Sequence, residues 1–231
     1  MSLHCNSISS AVSHKFANMG LICAVMVVVI HSPQESNPFG IGWWWTSLVQ
    51  HGICNIAVPF FFFASGYFIA GHMEEDGWWK REIIKRIQTL LIPFMICNIL
   101  FSVCNLFARY ATGNEPKIIR HWLYFFSCSI GIIPFGGFSL GTLWFIRALI
   151  FIVLISPLLK KLANPQGLMV LFGLYAVFNP YPFELRFGWY QYLSMNMLSF
   201  CGIAWFTLGI YFRRHDILAP PPHLIVKQIG C

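Results

Sequence analysis

The sequence predicts an all-α protein: a multi-pass transmembrane helical bundle of about six spans, with an interfacial or re-entrant segment near 121–138. Three observations predict it. Charged residues are 10% of 231 and hydrophobic residues 57%, whereas a soluble domain carries about 25% charged residues to face water. Mean hydropathy is +0.65. Apolar runs near the roughly 20 residues needed to cross a bilayer recur along the chain, with the charges gathered between them. So few charges cannot cover a soluble surface of this size, but they suffice for a lipid-facing one whose backbone is satisfied within helices.

The runs follow in order. Phe16 to Ile30 is the first and shortest, ending at His31 and Ser32. Gly52 to Gly71 is the second, and no Asp, Glu, Lys or Arg lies between Glu35 and Glu74. Ile87 to Ala108 is the third. Leu140 to Leu159 is the fourth, interrupted by a single charge, Arg147. Leu162 to Phe183 is uncharged and makes the fifth, and Met195 to Phe212 the sixth. The stretch from His121 to Phe138 is also uncharged but holds Pro134 and a Gly136–Gly137 pair. It reads as a crossing or as a half-helix in the interface.

Basic residues choose between these readings, because cytoplasmic loops are enriched in Lys and Arg. Lys80, Arg81, Lys85 and Arg86 form the densest basic segment. It reads as a cytoplasmic loop between the second and third spans, which places the N-terminus inside as well. If 121–138 does not cross, Lys160–Lys161 and Arg213–Arg214 also fall on the cytoplasmic side. Six crossings therefore fit better than seven, although Lys117 and Arg120 then lie outside. Residues 213–231 are expected to be a poorly ordered cytoplasmic tail.

Composition excludes several classes. The formal charge of +7 is clustered at span ends, which indicates membrane orientation rather than nucleic-acid binding. Most of the eight cysteines lie in apolar runs without a CxxC pair, the habit of small packing residues. The histidines are scattered and show no HExxH spacing, so no metal is expected. The first apolar run leads straight into further spans and reads as a membrane helix rather than a signal peptide. Trp43–Trp45, Trp78–Trp79, Trp122, Tyr124, Trp189, Tyr190 and Tyr192 flank spans. That is the pattern of an interfacial aromatic belt, or of stacking surfaces for a sugar.

Four features carry chemistry. His31 closes the first run as VVVIHS, and an imidazole at membrane depth can serve as a general base near neutral pH. VPFFFFASGYF, Val58 to Phe68, joins a proline and four phenylalanines to Ser65 and Gly66, small residues that admit a second helix or a ligand. KREIIKRIQTLLIPF, Lys80 to Phe94, concentrates cations able to hold phosphates. LWFIRAL, Leu143 to Leu149, buries Arg147 in an apolar run, where it must face a partner or an aqueous cavity.

In this order the four resemble the membrane acyltransferase-3 family. The resemblance covers about Phe16 to Phe151 in detail: VVVIHS with His31, Ser65-Gly66-Tyr67 closing the phenylalanine run, KRIQTLLIP from Lys85 to Pro93, and LWF from Leu143 to Phe145. Two positions depart from the family pattern. An arginine common eleven residues before the histidine is Gly20 here, and the second arginine of the basic motif is Thr89. Members also tend to be longer, so the resemblance implies one acyltransferase-like domain over residues 1–212 that is short for its family.

The resemblance implies a cell-membrane O-acyltransferase. It would move an acyl group, in many members acetyl, from acyl-CoA to a hydroxyl of a cell-surface carbohydrate, such as a lipid-linked glycan or an envelope polysaccharide. His31 would be the catalytic base. Lys85, Arg86 and Arg81 would hold the phosphates of acyl-CoA. Ser65, Tyr67, Trp144 and Arg147 would line the substrate cavity. The competing expectations are a transporter or flippase using His31 and Arg147 to bind a solute, and a short homologue that has lost activity.

Overall fold

A computed structural model describes residues 10–32, 42, 48–49, 52–113, 122–123, 125–126, 144–178 and 199–218. Every regular element among them is helical. Of the segment expected to lie in the interface, 121–138, only four residues are described. Trp43–Trp45, Lys117, Arg120, Trp189, Tyr190, Tyr192 and the tail beyond 218 lie outside the described residues. The chain divides into two units, Met1–Asp76 with Trp205–Cys231, and Gly77–Ala204.

In the first unit, α1 runs Ser10–Ile30 over 21 residues, about 31 Å at 1.5 Å per residue. A 3-10 turn, Cys54–Ile56, leads into α2, Ala57–Ala70. Pro59 falls in the first turn of α2, where a missing N–H costs little. Phe16 of α1 stacks on Tyr67 at 4.9 Å between ring centroids, meets Phe68 edge-on at 5.0 Å, and reaches Phe60 and Phe63. Such pairs contribute about 0.5–1.5 kcal/mol each beyond the area they bury. α1 also packs on the Cys54–Ile56 turn. Both contacts require the helices to be antiparallel, because a parallel pair would carry that turn past the start of α1.

The last described helix, Phe200–Arg214, starts at Ser199, whose Oγ accepts the N–H of Gly202 at 3.0 Å. Its residues from Trp205 onward complete the first unit. There the backbones of two helices meet without side chains between them. A Cβ on Gly66 would lie 2.0 Å from the Phe206 carbonyl oxygen, and one on Gly209 would lie 2.1 Å from that of Phe63. Phe62, Phe206 and Ile210, all fully buried, pack around this crossing. Beyond it the Arg213 guanidinium sits 5.5 Å over the Tyr67 ring, and Arg214 pairs with Glu74 at 2.9 Å.

In the second unit, α3 covers Trp78–Arg86, a π-helical turn Ile87–Leu91 follows, and α4 covers Ile92–Ala111. Gly77 precedes α3 at φ 69°, a left-handed conformation that glycine adopts without a Cβ clash. The basic segment expected as a loop is therefore helical. WWKREIIKR contains no Gly or Pro, and Glu82 sits one turn before Arg86, a spacing and order that stabilise a helix. The π turn lies just ahead of Pro93, which has no N–H to donate to the preceding turn. There the Ile92 N–H reaches Ile87 O instead, and Thr89 Oγ1 donates to Lys85 O at 2.9 Å.

The expected fourth span is likewise divided. α5 covers Trp144–Leu154 and α6 covers Ser156–Leu162, with Pro157 in the first turn of α6 and the Ser156 hydroxyl turned onto Val153 O at 2.6 Å. α7, Pro165–Phe178, is capped by Asn164, whose Oδ1 accepts the Gly167 N–H at 2.8 Å. With α8 for Phe200–Arg214, each of the six apolar stretches contains a helix. Among the described residues two helices are long and apolar enough to cross a membrane, Ser10–Ile30 and the continuous 34-residue rod Trp78–Ala111. Both expose aliphatic and aromatic side chains outward, among them Leu21 at 70%, Val28 at 71% and Phe107 at 70%.

Candidate functional site

His31 follows the last residue of α1, with its N–H on Val27 and Val28 carbonyls at 3.3 and 3.2 Å. Its side chain is exposed. Residue 31 lies fifteen positions beyond Phe16, about 22 Å along the helix. It therefore stands at the end of the antiparallel pair that carries the Cys54–Ile56 turn, opposite the end that carries Tyr67.

Ser65 and Tyr67, expected with Gly66 at a substrate cavity, sit at that opposite end. Tyr67 is 1% exposed, enclosed by Phe16, Phe63 and Phe68 and covered by Arg213. Gly66 is consumed by the crossing with α8. Ser65, just before Gly66 in sequence, is half-buried. The small-residue motif of α2 thus makes a helix–helix contact that draws a partner from near the far end of the chain.

The second unit gathers the other candidates. Arg81 and Lys85 are exposed on one row of α3, one turn apart, while Glu82 and Arg86 form the adjoining row, buried and half-buried. Arg86 Nε stands 3.3 Å from Glu82 Oε2, with side-chain exposures of 21% and 8%. At that separation and angle it is a Coulombic contact rather than an aligned hydrogen bond. Both α3 and the π turn pack against α5, and Trp79 Nε1 donates to Leu154 O at 3.2 Å. With Trp79 at the last residue of α5 and the π turn also touching α5, the two helices must run antiparallel. Counting seven residues from each end of that bond brings Arg86 level with Arg147, and ten brings Thr89 level with Trp144. Arg147 is buried at 8% exposure and Trp144 is half-buried.

One unit therefore assembles the basic helix, the π turn and the LWF helix as a packed body with a cationic side. The sequence reading overlooked Glu82. Its signal was present: a lone acid four residues before an arginine, inside an otherwise basic stretch.

The family model described as an acyltransferase domain, acyltransferase-3, matches residues 21–223. No curated protein and no solved structure matches the chain. The match covers most of the 231 residues and includes the histidine, the small-residue crossing, the basic helix and the tryptophan–arginine helix in one frame. The chain belongs to the acyltransferase-3 family of membrane acyltransferases.

Proposed function

We propose that this protein is a multi-pass cell-membrane O-acyltransferase that takes an acyl group, acetyl in the simplest case, from acyl-CoA and transfers it to a hydroxyl of a cell-surface carbohydrate. The observation that carries the donor half is the cationic helix: Arg81, Lys85 and Arg86 one turn apart or adjacent on α3, a helix packed against α5. Phosphates are held well by such a group, Arg as a fork and Lys as a point charge.

The rod Trp78–Ala111 is about 51 Å long, against a hydrocarbon core of about 30 Å. Its apolar α4 fills that core, and α3 then projects into the headgroup layer with its cations. By the excess of basic residues this is the cytoplasmic side, where acyl-CoA is found. Six crossings, with both termini inside, follow from the same rule.

In the reaction, His31 removes the proton of the acceptor hydroxyl as its oxygen attacks the thioester carbonyl. The tetrahedral adduct then collapses, the C–S bond breaks, and the imidazolium returns its proton to the departing thiolate. A positioned base contributes about 10²–10⁴-fold. Alignment and stabilisation of the oxyanion supply the remainder, and Trp144 and Arg147 line the donor's path. Because α1 and α2 are antiparallel, His31 stands at the end of α1 away from the 71–76 turn that leads into the basic helix. By the charge rule His31 falls toward the outer face and the cations on the inner one, so either the extended pantetheine arm crosses part of that depth or the first two spans enclose a deep cavity.

The test is acyl transfer in proteoliposomes holding the whole chain, acetyl-CoA and a membrane glycan fraction. Acceptor-dependent release of CoA thiol, lost in His31→Ala and with donor binding intact, is the expected result. Solute flux without thioester consumption would overturn the reading in favour of a transporter.

A further inference from the structure

We propose that Glu82 is a positioning residue for the donor site: it holds the Arg86 guanidinium by its inner nitrogen, so that the outer edge faces a phosphate of acyl-CoA. The inference rests on the acyl-CoA reading above and adds a residue to it.

Glu82 is 6% exposed, and a buried carboxylate is costly unless it is paired. Its partner is Arg86, one turn on, through Oε2 to Nε at 3.3 Å. The guanidinium is planar and carries five N–H donors in a fixed fork. A carboxylate on the Nε side leaves the Nη1 and Nη2 edge pointing away, and among the described residues no hydrogen bond occupies that edge. The difference in side-chain exposure, 8% for the acid and 21% for the arginine, sets a buried anchor behind a partly open head group. Holding a long side chain this way removes rotamer freedom before the ligand arrives, so less is lost on binding. The platform beneath is firm, since α3 packs on α5 and is tied to it through Trp79.

A purely structural ion pair would behave differently, and the experiment separates the two. Equilibrium binding of CoA and of pantetheine, which has the same arm without the nucleotide and its phosphates, is measured on the full chain in lipid nanodiscs. Glu82→Gln should weaken CoA binding about tenfold, the size of one charge-assisted contact, and leave pantetheine unaffected. Adding it to Arg86→Gln should cost nothing further. The exchange Glu82→Arg with Arg86→Glu keeps the pair and the helix but moves the guanidinium one turn, so CoA binding should stay weak. If the exchanged protein, or Glu82→Gln, binds CoA like the parent while Arg86→Gln does not, the positioning role is overturned and the donor reading stands. If the parent itself does not bind CoA, or Arg86→Gln binds it as well as the parent, the donor reading falls and this inference with it.

Discussion

Gly66→Ala is the sharpest test of the architecture. Its new Cβ would lie 2.0 Å from Phe206 O, 2.8 Å from Phe206 C and 3.1 Å from Phe206 Cα, against ordinary contact from 3.4 Å upward. All three atoms are backbone, so no rotamer change relieves the clash. The two helices must part by about 1.4 Å, and a gap of even 0.5–1 Å forfeits a quarter to a half of each dispersion contact across it. Phe62, Phe206 and Ile210, fully buried at this crossing, lose their fit together. In a bilayer such packing is the main cohesive force, since lipid is as apolar as the side chains. Overpacking a tight site costs about 1–3 kcal/mol, and rigid backbone on both sides places this one at the upper end. At about 2–4 °C per kcal/mol for a chain of this size, thermal unfolding in detergent should fall by about 5–10 °C. Gly209→Ala, whose Cβ would stand 2.1 Å from Phe63 O, should cost a similar amount. The double variant should fall short of the sum, because one separation relieves both clashes. Gly20→Ala is the control, with nothing within 4 Å of its added Cβ. A Gly66→Ala protein that melts with the parent would refute the crossing.

Other outcomes follow from the same geometry. His31→Ala should lower the turnover number about 10²–10⁴-fold with the KM for acetyl-CoA little changed, measured by CoA thiol release; unchanged turnover removes His31 from the chemistry. Lys85→Gln and Arg86→Gln should instead raise the KM for the donor and leave the turnover number largely intact, and the effect should shrink with rising salt for exposed Lys85 more than for half-buried Arg86. Asn164→Ala removes the cap accepted from Gly167 N–H and should cost about 1 kcal/mol of stability, read by chemical or thermal unfolding, whereas Asn164→Asp should retain most of it. The Arg214–Glu74 pair is largely exposed, so Glu74→Gln should change stability by less than about 1 kcal/mol, and a larger loss would show that the pair is shielded by something else.

Hydropathy and charge placement by themselves determined the helical class and the six apolar stretches that each contain a helix; the acyltransferase resemblance came from the order of four motifs. The class and the stretches repeat over many residues, and each is a local property of composition. Motif order along the chain likewise made His31, the basic segment and Arg147 visible as candidates. What it left open depended on contacts between residues far apart. Ser65-Gly66-Tyr67 reads equally as a ligand cradle or a packing face until Phe206 and Gly209 are seen against it, some 140 residues later in the chain. The helical state of Lys80 to Arg86 was masked by its charge, because a cluster of cations looks like a loop until α5 is found packed along it. Glu82 gained its meaning only when burial showed which face of α3 turns inward. Hydrophobic runs are read from one segment at a time; backbone-to-backbone crossings, and the choice of which side of a helix is buried, exist only between segments, and they are what the tertiary structure decided.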